Sequence, residues 1–149
     1  MEQTGVACVL VLLVLSACGE RAVSPQACIE AQPADVLQAL ERAPEGGHVA
    51  LHDGTLLSRC VARTLDDGRL QALGTTLTAA ADRLARRMDA SEDAAFELGF
   101  LIGATARGSA STAGFQGDLA DRITGAAGLD GGPHRAALLR GRAAGRRDG

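Results

Sequence analysis

Cysteine and histidine are the residue types in this chain best suited to chemistry, and their spacing limits what that chemistry can be. Cys28, His48, His52 and Cys60 together make the donor set of a tetrahedral zinc site. They lack the close cysteine pair of zinc fingers, and their spacing matches no finger pattern. The same two cysteines, 32 positions apart, can instead close a disulfide loop if the chain reaches an oxidising compartment. His48 and His52 stand four apart, a spacing that puts two ligands on one face of a helix. However, Gly46-Gly47 before them and Gly54 after them argue against a helix and for a short extended stretch. A solvated or locally bonded histidine pair is the simpler reading. Carboxylates that could serve as acid and base occur at Asp66, Asp67, Asp82, Asp89, Glu92, Asp93 and Glu97, yet most sit where helices place acids for caps and outer faces. Nothing singles out two of them. No nucleophile elbow, Walker loop, dinucleotide fingerprint or paired-histidine metalloprotease helix is present. No catalytic residue, no metal ligand and no cofactor is therefore assigned.

The other two cysteines lie in the leader. Val6 to Leu15 is an unbroken apolar run, and Leu15-Ser16-Ala17-Cys18 follows it. This resembles the lipobox of bacterial lipoproteins, Leu-[Ala/Ser]-[Gly/Ala]-Cys, and agrees with it at all four positions. The resemblance covers the leader only. It implies that residues 1–17 are an export signal, that the Cys18 thiol receives diacylglycerol, and that cleavage before Cys18 leaves it as the first residue of the mature protein. The apolar run partitions into the bilayer, while small side chains let extended backbone enter a peptidase. At ten residues it is too short for a transmembrane helix, which needs about 17 to 25. The leader departs from the usual pattern in carrying Glu2 and no Arg or Lys. With Cys8 removed and Cys18 acylated, Cys28 and Cys60 are the two thiols left for pairing. The localisation implied is the cell envelope, lipid-anchored on the extracytoplasmic side of a membrane, through palmitate-like chains that contribute about 0.8 kcal/mol per buried methylene.

The elements that must position these residues read as helices. Residues 18–27 are short and polar, a tether between lipid and domain. Pro33 suits a first helical turn, with Val36, Leu37 and Leu40 as an apolar face that ends at Pro44 and Gly46-Gly47. Asp53 or Thr55 is placed to cap a helix whose inner side holds Leu56, Leu57, Cys60, Val61 and Leu65, turning Cys60 toward Cys28. After Asp66-Asp67-Gly68, Leu70, Leu73, Leu77, Ala80, Ala81, Leu84 and Met88 recur at steps of three and four, the clearest helix in the chain. Asp89 with Glu92 resembles a capping box for a helix reaching Arg107 that Gly108 can close; it is apolar nearly all round from Ala94 to Ala106 and reads as the central element. Gly99 and Gly103, four apart on it, predict a close helix neighbour. Phe115, Leu119 and Ile123 indicate one more helix. Past Gly131-Gly132-Pro133 a helix can start at His134, but Gly141 and Gly145 weaken it toward a frayed end.

The expected architecture is therefore all-α, a small bundle of about four to five helices with one disulfide, in residues 28–130, followed by a basic tail over 131–149. Charge is uneven between the two: residues 18–130 hold 10 Arg against 16 acids, net −6, and residues 131–149 hold 5 Arg against Asp148, net +4. An acidic body with Phe96, Phe100 and Phe115 as its three aromatics does not suit nucleic-acid binding. Two functional classes remain open. One is a lipid-anchored, non-catalytic interaction or structural module, contacting the membrane through Cys18 and an envelope protein through its helix faces. The other is a small metal-binding or enzymatic domain using His48, His52 and nearby carboxylates. The first is preferred, because functional clusters of titratable groups leave a trace in sequence and none is visible.

Overall fold

A computed structural model describes residues 24–110, 114–126, 128 and 132–149. The apolar leader and the lipobox with Cys18 lie outside the described residues. Within them the chain forms seven helices and no strand: α1 Gln26–Glu30, α2 Pro33–Leu40, α3 Leu57–Arg63, α4 Asp67–Ala85, α5 Glu92–Ser109, α6 Phe115–Ala126 and α7 Arg135–Asp148. The all-α expectation holds. The two helices beyond the expected five are α1, which falls partly in the anticipated tether, and α7, which falls in the anticipated tail.

Local chemistry explains most boundaries. Pro33 opens α2, and a reciprocal cap forms there because the Gln32 amide donates to Asp35 Oδ2 at 2.8 Å. Asp66 caps α4 by accepting from the Arg69 amide at 2.9 Å. The cap of α5 is Ser91, whose hydroxyl accepts from the Ala94 amide at 3.2 Å, in place of the Asp89–Glu92 box. Asp53 and Thr55 do not cap α3, and Leu65, expected on its inner side, lies past its end at Arg63 and is exposed. The Thr55 amide and hydroxyl both donate to the Asp53 carboxylate, closing a turn of their own around Gly54, which has φ +83°, and α3 begins one residue later with Leu56 as its uncapped flank. The stretch predicted as extended, His48 to His52, is a loop held down by buried Val49, Ala50 and Leu51.

Helix α5 is the centre of the bundle. It is buried on nearly every side and packs against α2, α3, α4, α6 and α7. The inner stripe of α4, Leu70, Leu73, Leu77, Ala80, Ala81 and Leu84, is the one its periodicity predicts. The folded body begins before Cys28, since Ser24 is buried and its hydroxyl donates to the Arg63 carbonyl at 3.2 Å.

The frayed-tail expectation is corrected. Helix α7 runs alongside α5 in the same direction, with Gly99 and Gly103 facing the Leu138 and Arg142 carbonyls, and Gly141 and Gly145 facing those of Phe96 and Phe100. A methyl group at any of these four positions would collide with backbone of the opposite helix. The glycines that weaken α7 as an isolated helix are what let it dock. Its end is held as well: the Gly149 carbonyl accepts from Ser58 Oγ and from Arg107, and Arg107 also donates to the Arg147 carbonyl at 2.6 Å.

Candidate functional site

Cys28 on α1 and Cys60 on α3 are joined, with their Cα atoms 5.4 Å apart and both side chains buried. The pairing follows from helix phase, which turns Cys60 inward with Val61 toward buried Ala27 and Cys28. It also removes both thiols from the zinc set considered above. His48 and His52 lie exposed on the loop between α2 and α3, and no group of three or more His, Cys, Asp or Glu able to hold a metal exists among the described residues. The expected carboxylates are dispersed: Asp66 caps α4, Asp67, Asp82, Asp89, Glu92 and Asp93 are exposed, and Glu92 pairs with Arg140 of α7 at 2.7 Å.

Glu97 is different. It sits on the central helix at 5% exposure. Burial pushes its carboxyl above the ordinary glutamate range; Arg87 opposes this, and the carboxylates of Glu41 and Asp93 reinforce it. The folded chain therefore holds the Glu97 proton to higher pH than the unfolded chain does. Ionisation at neutral pH costs stability, and the cost is relieved as pH falls through the raised value toward the ordinary one. Glu97→Gln is expected to raise the urea midpoint at pH 7, and the gain should shrink on acidification below the ordinary glutamate range. Paired unfolding curves at neutral and acidic pH test this; a variant less stable than the parent at pH 7 would show that the charge is needed where it lies.

A groove of about 680 Å³ lies between α4 and α6. Leu70 and Leu119 contribute apolar floor, Gly74 lets Leu119 approach α4 closely, and Asp67, Asp82 and Asp118 stand along it with Arg122 as the opposing charge. Phe115 is part of its wall and is 64% exposed. No family model, no curated protein and no solved structure matches this chain. The chemistry of the groove must be read from its own residues.

Of Phe115, Leu119 and Ile123, whose spacing indicates α6, Leu119 and Ile123 are buried and Phe115 is exposed. The buried residues of α6 are Gln116, Leu119 and Ile123, which cluster within about 60° of one another at 100° per residue. Strict four-residue steps drift around a 3.6-residue helix, so Phe115 falls about 70° from the centre of that stripe. Gln116 takes the inward place and donates to the Thr64 carbonyl at 3.4 Å, tying α6 to the end of α3. The helical phase of Leu119 and Ile123 carries this signal in the sequence.

Proposed function

We propose that this chain is a lipid-anchored envelope protein whose helical body is a non-catalytic interaction module, with the α4–α6 groove as its contact face. The anchor rests on Leu15-Ser16-Ala17-Cys18. The compartment is supported by the Cys28–Cys60 bond, since disulfides form and persist outside the reducing cytosol. The contact face rests on a single observation: a large aromatic side chain, 64% exposed, lies against an open apolar groove, where an aromatic anchor supplies binding energy out of proportion to its number. Among the dispersed carboxylates, Asp66 bonds a backbone amide and Glu92 bonds Arg140, roles of a helix cap and a surface ion pair.

Replacing Cys18 by serine removes the single thiol at which the lipobox allows acylation. The full chain should then lose radiolabelled fatty acid and move from the membrane fraction to the extracytoplasmic soluble fraction or remain as unprocessed precursor. Lipid label retained on Cys18→Ser protein would overturn the anchor. For the face, Phe115→Ser should leave the helical circular dichroism and the unfolding midpoint near those of the parent, because the side chain is exposed. A large drop in midpoint would return Phe115 to a core role.

A further inference from the structure

We infer that the α4–α6 groove receives helix α7 of a second copy of this chain, so that the protein assembles head to tail. This rests on the groove being the contact face and names its occupant. Three features of the two surfaces agree. The first is charge: Asp67, Asp82 and Asp118 outnumber Arg122 along the groove, whereas the outer side of α7 presents Arg135 and Arg146 exposed and free of the two surface ion pairs that engage Arg140 and Arg147. The second is apolar matching. Leu139 is 51% exposed on α7 between exposed Ala136 and Ala143, an i, i+3, i+7 stripe flanked by arginines, and it faces a groove floored by leucines and edged by Phe115. The third is length. The groove follows α4 from Asp67 to Asp82, about 22 Å at 1.5 Å per residue, and the 14 residues of α7 span about 21 Å.

The contact cannot be made within one chain. Helix α7 is held against α5 by the glycine contacts, none of its residues lines the groove, and it makes no comparable contact with α4 or α6. Its outer face and the groove are separate surfaces of one molecule. Joining one to the other between copies is a heterologous contact, which propagates into rings or open chains instead of stopping at a two-fold dimer. On a membrane the shared anchor plane would raise the local concentration of both surfaces and favour the contact further.

The test uses the full chain, extracted in nonionic detergent and carrying either of two affinity tags, in three forms. The parent is compared with a groove variant, Asp82→Arg with Phe115→Ser, and an α7 variant, Arg135→Glu with Leu139→Ser. All four positions are exposed, and helical circular dichroism checks that each variant folds. Two tagged parents should co-purify at low ionic strength and less so at high salt. Each variant mixed with its own differently tagged copy should lose co-purification by at least about tenfold. The groove variant mixed with the α7 variant should regain it, because one keeps the helix and the other keeps the groove, and that complex should stop at a heterodimer. Three results would each overturn the inference: a parent that never co-purifies with itself, variants that self-associate as the parent does, or mixed variants that stay apart. A monomeric parent that still carries lipid on Cys18 would remove the assembly and leave the anchor standing, so the two readings fail separately.

Discussion

Alanine at Gly145, and more so at Gly141 and Gly145 together, is expected to destabilise the fold although it improves the helix. In an exposed helix the exchange of glycine for alanine is worth up to about 1 kcal/mol in favour of alanine. Here the added methyl at Gly145 would meet the Phe100 carbonyl and the Ala104 amide, and the one at Gly141 the Phe96 carbonyl and the Phe100 amide. These are backbone atoms of a helix buried on almost every side, so no rotamer change relieves the clash. The helices must separate, and overpacking of this kind costs about 1–3 kcal/mol per site or more. By difference a single substitution should lower stability by up to about 2 kcal/mol net, and the double variant should release α7 from α5 while the rest of the bundle remains helical. Gly125→Ala and Gly117→Ala on α6 are the internal controls: nothing lies within 4 Å of a methyl group at either position, so each should be neutral or stabilising. Urea unfolding of the four variants reads the contrast directly. Equal effects at Gly145 and Gly125 would mean that the α5–α7 contact contributes little.

Loss of the Cys28–Cys60 bond is expected to be the other large effect. The bond closes a separation of 32 residues, and the chain-entropy relation assigns such a loop about 3 to 4 kcal/mol through restriction of the unfolded state. For a domain whose total stability is on the order of 5–15 kcal/mol this is a substantial share, equivalent to a fall in Tm of roughly 10–20 °C. The structure adds a local consequence. Helix α1 has five residues, too few to hold together by backbone hydrogen bonds alone, and apart from the bond to α3 it rests mainly on α4. Reduction, or Cys28→Ser with Cys60→Ser, should therefore free α1 and the α2–α3 loop to hydrogen exchange before global unfolding, while α4 and α5 stay protected. Coincident unfolding midpoints for oxidised and reduced protein would rule out the bond as a staple. Loss of protection spread evenly over α4 and α5 would place the effect elsewhere than α1.

Local pattern was enough to determine the helical class, the course of α4 and α5, the start of α2 at Pro33 and the inward turn of Cys60. Each depends on contacts a few residues apart, on the 3.6-residue repeat or on a cap, and these are written into neighbouring positions. The Cys28–Cys60 pairing was legible for a different reason: the proposed leader would take up Cys8 and Cys18, which leaves two thiols. Tertiary structure alone decided the fate of residues 132–149. Propensity gives Gly141 and Gly145 a cost, and it is correct for a helix in water. What reverses their meaning is α5, about 40 residues earlier: the backbone of its Phe96, Phe100 and Ala104 fills the space beside Gly141 and Gly145, and its own Gly99 and Gly103 leave room for the backbone of α7 in return. Neither pair predicts the register of the other. The outward place of Phe115 was legible in the helical phase of Leu119 and Ile123, whereas the partner of Gln116, the Thr64 carbonyl, was decided by packing. The groove, with its acids drawn from α4 and α6, exists only because those two helices lie side by side, a juxtaposition that no spacing within either one encodes.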